Sequence, residues 1–209
     1  MRIGVIQASS QADKNGLLFE AVRRYAADSE AVNFGCRPGD GGAYSYVETA
    51  LMAGLLLASG AVGLIVTGCS SGQGMMLACN SFPGVLCGYL PTPMDAWLFA
   101  QINSGNAVSL PLGEGYTWAG RDNLERTVER LFAEPFGQGW PRAEAARKLR
   151  DTALLKAIRA RSQTDVVAFL DSLDPALRDR VLSKRDVAED ILAHGADARV
   201  TDWVRRSLG

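Results

Sequence analysis

Along the first 135 residues, short β-branched apolar runs alternate with longer stretches whose apolar positions recur at helical spacing. That is the pattern of a parallel sheet covered by helices on both faces. Strands are predicted at Ile3-Gly4-Val5-Ile6, Ala31-Val32-Asn33-Phe34, Val62-Gly63-Leu64-Ile65-Val66, Val85-Leu86-Cys87 and Ala107-Val108-Ser109-Leu110. Between the first two, the stretch from Leu17 to Tyr25 sets Leu17, Leu18, Ala21 and Val22 on one side and Arg23 and Arg24 on the other; Leu124, Val128, Leu131 and Phe132 repeat the arrangement later. Ala50 to Val66 is almost wholly apolar or small, yet Gly54, Ser59, Gly60 and Gly63 interrupt it, and it falls short of the ~20 apolar residues that a membrane span needs. It reads as a buried helix ending at Gly60, followed by a strand.

Beyond Pro135 the pattern changes. Gly137, Gly139 and Pro141 mark a loop, and from Arg142 onward no β-rich run occurs while Ala, Leu, Arg and Asp dominate. Several short helices of ~8–16 residues are expected there. Asp174-Pro175 reads as an N-cap with Pro at the first helical position, Ser183 with Asp186 as a capping box, and Gly195 after His194 as a stop. The expectation is therefore an α/β fold, a three-layer, doubly wound, Rossmann-like five-stranded parallel sheet over residues 1–140, with a small helical C-terminal extension over residues 141–209.

Composition narrows the function. With 209 residues the chain fits one domain and an appendage. Hydrophobic residues make up 47%, and 22 Lys+Arg balance 23 Asp+Glu, which excludes a disordered chain and a nucleic-acid binder running on bulk charge. The single histidine, His194, excludes His-rich zinc sites and His-Cys dyads in the body of the chain. Cys36, Cys69, Cys79 and Cys87 form no C-x-x-C pair and read as reduced thiols. The apolar run at the N-terminus is shorter than the ~7–15 residues of a signal-peptide core, so a cytoplasmic location is expected.

In an open α/β sheet, ligands bind beyond the carboxyl ends of the strands. After the third strand comes Thr67-Gly68-Cys69-Ser70-Ser71-Gly72-Gln73-Gly74-Met75-Met76, a thiol and two hydroxyls in a glycine-rich turn that opens a helix. Converging backbone N–H groups and the helix N-terminus favour negative charge, which stabilises an oxyanion and makes a nearby thiol a candidate base or nucleophile. Cys79 and Cys87, flanked by apolar residues, read as packing. Neither a Walker lysine after Gly74 nor G-x-G-x-x-G after the first strand is present. Asn103-Ser104-Gly105-Asn106 supplies a second candidate, since an amide holds an oxyanion without ionising.

Taken in order, Cys69-x-x-Gly72-x-Gly74-Met75, Asn80 with Pro83-Gly84-Val85, and Asn103-x-x-Asn106-x-x-x-Leu110 resemble the ribose 5-phosphate isomerase type B and galactose 6-phosphate isomerase family over roughly residues 1 to 150. Asn33-Phe34-Gly35 and Glu134-Pro135-Phe136 resemble it too. The resemblance implies an aldose-ketose isomerase with no metal or organic cofactor, acting on a sugar phosphate or related sugar through a cis-enediol. By the same likeness Cys69 removes the proton next to the carbonyl, and Ser71, within the turn from Ser70 to Gly74, together with Asn103 holds the enediolate oxygens. Ser9, Ser10, Ser70, Gly72, Gln73, Gly74, Asp95 and Arg142 are then the substrate-binding candidates. The resemblance further implies a homodimer or homotetramer with active sites at subunit boundaries, the apolar helix Ala50 to Leu57 being suited to a buried contact or equally to its own sheet; no nucleic-acid or membrane partner is expected.

The departures matter as well. Family members carry Asp-His after the first strand, where this chain has Ala8-Ser9, and a ring-opening histidine after the fourth, where it has the Leu90-Pro91-Thr92 region. A phosphate-binding arginine is matched by about Gly115, leaving Arg142 and Arg147 as the nearest cations, and Asp95 or Glu114 as replacements in proton transfer. Three readings stay open: an isomerase of an open-chain or small substrate such as a tetrose phosphate, an isomerase of a different sugar or sugar acid whose carboxylate is met by Ser9, Ser10, Gln11 and the tail, or a non-catalytic carbohydrate- or metabolite-binding or scaffolding protein that keeps the fold without turnover.

Overall fold

The computed structural model describes residues 1–40 and 43–209. Five strands, β1 (Arg2–Val5), β2 (Glu30–Asn33), β3 (Leu64–Cys69), β4 (Cys87–Tyr89) and β5 (Ala107–Pro111), form one parallel sheet in the order β2-β1-β3-β5-β4. Alternation sorts their side chains: Ile3, Val5, Leu64, Val66, Val108 and Leu110 enter one core, while Ile6, Ile65, Cys69 and Ala107 enter the other. The first core is closed by α1 (Asn15–Tyr25), α4 (Pro93–Leu98) and α5 (Arg121–Phe132), and the second by α2 (Tyr46–Ala58) and α3 (Gln73–Asn80). These three layers are the expected fold.

Several elements depart from their predicted bounds, three of them for local reasons. The third strand runs from Leu64 to Cys69 rather than from Val62 to Val66, because Thr67, Gly68 and Cys69, expected in the turn, pair with Ser109, Leu110 and Pro111 of β5. The fourth strand starts at Cys87 rather than Val85, because side-chain amides take over the backbone groups before it. Asn106 accepts from the Leu86 N–H at 2.8 Å and donates to the Gly84 carbonyl at 3.0 Å. Asn80 accepts from the Cys87 N–H at 3.0 Å and donates to its carbonyl at 2.9 Å. The second helix starts at Tyr46, earlier than the apolar run, because Ser45 and Glu48 form a capping box.

In the extension, α6 (Ala145–Ser162) is longer than anticipated and has no buried residue, whereas α7 (Val166–Asp171), α8 (Pro175–Leu182), α9 (Arg185–His194) and α10 (Ala198–Leu208) are short. Helix α2 is apolar on every side, so a sheet on one face leaves it half covered. The last four helices supply the other cover: Leu170, Val181, Leu182, Ile191 and Trp203 join the core that contains Leu51, Leu55 and Leu56. The face of α2 that suited a contact between subunits is thus occupied by the chain's own extension. Arg2 locks this arrangement with a two-pronged ion pair to Asp190 at 2.8 and 3.0 Å. Asp174 caps α8 with Pro175 at its start, as anticipated. Ser183 does not cap α9: its hydroxyl donates to the Arg180 carbonyl at 2.7 Å, and Lys184 stands at the cap. Gly195 ends α9 with φ −66°, and it is required by closeness, since a Cβ there would sit 2.4 Å from the Thr201 methyl.

Candidate active site

In the order β2-β1-β3-β5-β4 the chain turns back between β1 and β3, and the loops leaving these two strands diverge over a crevice. A cleft of about 390 Å³ opens there. The end of β1 contributes Ala8 and Ser10, the β3 turn contributes Cys69, Ser70, Ser71 and Gly74, the segment leading into α2 contributes Tyr44, Ser45 and Tyr46, and the loop after β5 contributes Tyr116. None of these ten described lining residues is Lys, Arg or His.

Backbone geometry fixes the thiol. Cys69 is the last residue of β3, its carbonyl accepting from the Leu112 N–H at 3.0 Å, and the Ser70 carbonyl accepts from Gly113 at 2.9 Å. Gly72 caps α3 at φ 76°, and a Cβ on it would lie 2.9 Å from the Leu110 carbonyl carbon and 2.7 Å from the Tyr89 ring. Only glycine meets both demands. The Gly72 carbonyl accepts from Ser109 at 2.6 Å, and Ser71 accepts from the Gln73 N–H at 3.3 Å. Gly74 admits the Tyr46 ring, which approaches to 3.4 Å of where its Cβ would be. The thiol and the first turn of α3 thus open onto the same cleft.

The other thiols are differently placed. Cys79 is fully buried and Cys87 stands on the cleft along β4, where the hydrogen bond to Cys79, reinforced by burial, pushes the Cys87 thiol well up and disfavours its thiolate.

Of the anticipated site residues, Cys69, Ser70, Ser71, Gly74 and Ser10 line one cleft. Gly72 lies beneath it and Gln73 is exposed on α3. Ser9 stands behind the wall, accepting from the Tyr44 N–H at 2.7 Å and donating to the Cys36 sulfur at 3.3 Å. Gln11 reaches Ser70 at 3.0 Å. Asn103 and Asp95 line a separate cleft of about 370 Å³ along β4. Strand register explains the separation: Cys69 pairs with Pro111 at one end of the ladder, whereas Asn103 precedes Ala107 at the other, roughly 13 Å of strand away. Asp95 is held by Thr92, which donates to it at 2.6 Å and accepts from its N–H at 3.3 Å. Arg142 is tied to Glu134 at 2.9 Å and to the Gly139 carbonyl at 3.0 Å, and Arg147 to Glu144 and Asp151. Glu114 pairs with Lys14 at 3.0 Å.

Tyr44, Ser45, Tyr46 and Tyr116 were not among the sequence candidates. The signal that finds them is the rule already applied to Cys69: they follow the second and fifth strands, at the carboxyl edge of the sheet.

Residues 3–149 match the family model described as Ribose/Galactose Isomerase. A 4-deoxy-L-threo-5-hexosulose-uronate ketol-isomerase, crystallised with a tartrate, is 34% identical, covers 100% of this chain and 99% of its own, and superposes with a TM-score of 0.93. A ribose-5-phosphate isomerase from Vibrio parahaemolyticus is also 34% identical, with 99% of each chain covered and a TM-score of 0.92. The type B ribose 5-phosphate isomerase from Trypanosoma cruzi, at 22% identity and a TM-score of 0.63, covers 77% of this chain and 99% of its own, a likeness of fold. No curated protein matches the chain. The extension beyond residue 149 lies outside the family model, yet both relatives at 34% identity span it.

Proposed function

The chain belongs to the ribose/galactose isomerase family and is an aldose-ketose isomerase, and from that premise we propose that it acts through Cys69 on an open-chain sugar acid. The observation that carries the reading is the cleft itself: a thiol at the end of β3, hydroxyls and tyrosines around it, and no cation among its described lining residues. A phosphate dianion placed there would find no neutralising cation in the described lining that one chain supplies, whereas a carboxylate is served by hydroxyl and backbone donors. An acyclic substrate also needs no ring-opening acid, in keeping with a chain whose one histidine, His194, sits at the end of α9 beside Asp190 at 3.1 Å. Similarity to a uronate ketol-isomerase over the whole of both chains supports the same class.

In the proposed reaction the Cys69 thiolate removes the proton from the carbon next to the carbonyl. Negative charge then gathers on the carbonyl oxygen, where the Ser70-to-Gly74 turn and the start of α3 stabilise it. The former carbonyl oxygen then takes up a proton, the hydroxyl on the neighbouring carbon gives one up to become the new carbonyl, and the protonated thiol returns its proton to the former carbonyl carbon, closing the exchange with no change of oxidation state overall. Within one chain Asn103 cannot reach this oxygen, because it lies at the opposite end of the β3–β5 ladder. A homodimer that sets the Asn103 cleft of one copy against the Cys69 cleft of another completes the site, in agreement with the subunit-boundary sites that the family likeness implies.

A second reading, a sugar phosphate, is favoured by the relative from Vibrio parahaemolyticus. Proton NMR in D2O separates the two. Wild type and Cys69→Ala are incubated with 4-deoxy-L-threo-5-hexosulose-uronate and, separately, with ribose 5-phosphate. Solvent deuterium entering the uronate with wild type, and falling about 10²- to 10⁴-fold with Cys69→Ala, is the expected result. Exchange confined to ribose 5-phosphate would transfer the proposal to the phosphate, and exchange that survives Cys69→Ala would remove the thiol from its role.

A further inference from the structure

Helix α8 enters the core through Val181 and Leu182, and this seating turns its last turn toward the segment that leads into α2. There Arg180 lays its guanidinium on the face of the Tyr44 ring, 4.2 Å from the ring centre. The same side chain pairs with Glu48 at 3.3 Å and donates to the Ala43 carbonyl. The Ser183 hydroxyl lies 3.2 Å from the Tyr44 hydroxyl. On its other side the Tyr44 backbone is tied to the end of β1: its N–H donates to the Ser9 hydroxyl at 2.7 Å, and its carbonyl accepts from the Ser9 N–H at 3.1 Å. The sheet thus sets where Tyr44 stands, and the extension sets where its ring points.

Tyr44 is part of the wall that shares the cleft with Cys69. We propose that Arg180 and Ser183 are positioning residues that set substrate selectivity through Tyr44, which makes the C-terminal extension the specificity element of this isomerase. The inference rests on reading the Cys69 cleft as the reaction site. It follows from two contrasts on the same wall. The thiol is placed by main-chain hydrogen bonds that α8 does not touch, so loss of the Arg180 contact leaves the base in position. The Tyr44 ring is placed by a cation–π contact and one hydroxyl pair, both supplied from residues beyond 149. Substrate fit therefore changes while the chemical step is kept. Two relatives at 34% identity span the extension, one named for a uronate and the other for ribose 5-phosphate.

The test compares wild type with Arg180→Ala, Arg180→Lys, Ser183→Ala, Tyr44→Phe and the Ser183→Ala/Tyr44→Phe pair, with Arg178→Ala as a control on the same helix. For the sugar that shows Cys69-dependent exchange, Arg180→Ala is expected to raise KM about 3- to 10-fold with kcat within about 2-fold of wild type. Arg180→Lys should recover only part of this, because a lysine keeps the charge and loses the flat stack. Ser183→Ala and Tyr44→Phe should each give a smaller rise in KM, and the pair no more than either alone, since both remove one contact. A lowered Tm with KM and the preference between sugars unchanged would overturn the proposal, as would a fall in kcat at constant KM. Alkylation of Cys69 by iodoacetamide, followed by peptide mass, reads the wall without a substrate. Faster alkylation in Arg180→Ala than in Arg178→Ala supports the assignment even if no sugar is turned over. Equal rates in all variants would sink it while leaving the isomerase reading intact.

Discussion

The two walls of the Cys69 cleft are built by different physics. On one side the thiol, the glycine-rich turn and the start of α3 are fixed by the ladder and by glycines whose neighbours leave no room for a side chain. Facing it, Tyr44, Ser45 and Tyr46 are partly or fully exposed, and the Tyr44 ring is held by Arg180 and Ser183, which arrive from the other end of the sequence. The first wall cannot change without changing the fold. The second can be retuned by substitutions that leave the sheet untouched, and this separates the machinery of proton transfer from the choice of sugar.

The sharpest way to break that distinction is Gly72→Ala. Alanine at φ 76° is strained, and its Cβ would lie 2.9 Å from both the Leu110 carbonyl carbon and the Pro111 nitrogen, main-chain atoms that cannot rotate away. A loss of about 1–3 kcal/mol is expected. In a protein of this size that is a fall in Tm of roughly 2–12 °C, read by calorimetry, together with reduced deuterium exchange. A Tm within about one degree of wild type would show that the sheet-built wall is as adaptable as the other.

How far each wall is legible in sequence follows from the same division. Short β-branched apolar runs expose the strands, because a parallel sheet covered on both faces buries both sides of each strand, and the rule of strand ends then leads to Cys69, Ser70, Ser71, Gly74 and Ser10. Bounds fail where side chains substitute for backbone partners: Asn106 delays β4, and Ser45 with Glu48 advances α2. The extension reads as helical, but nothing in its composition says that it would cover α2, because which of two apolar surfaces meet is a tertiary choice. Tyr44 escapes notice for the same reason. Its partners Arg180 and Ser183 lie over 130 residues away, and a tyrosine in a glycine-rich loop carries no local mark. Asn103 is legible as an amide in a turn, yet its distance from Cys69 becomes visible only with the β3–β5 register.

Smaller effects separate the walls further. Ser45→Ala removes half of the capping box at the foot of the Tyr44 wall, where Ser45 accepts from the Glu48 N–H at 3.2 Å and Glu48 accepts from the Ser45 N–H at 2.6 Å. A cost of about 1 kcal/mol is expected, read as a fall in Tm of roughly 2–4 °C. The main-chain ladder behind the thiol does not depend on this cap.

The smallest effect is the dependence of the second wall on pH. Burial pushes the Glu48 carboxyl upward, but the hydrogen bonds from Ser45 and the charge of Arg180 outweigh it and hold the group below its ordinary 4.5. A carboxylate held lower in the folded than in the unfolded chain adds stability above its unfolded value and loses it as pH falls through the folded one. Below about pH 4.5 the wild type should therefore lose the Glu48 contribution, while Glu48→Gln, which has no carboxylate to protonate, should start less stable and decline less over the same range. Thermal melts of both proteins from neutral pH down to about pH 3 read the difference. Parallel acid limbs would mean that Glu48 does not hold the Tyr44 wall through its charge. Converging limbs would place titratable support of the cleft on the side built by side chains.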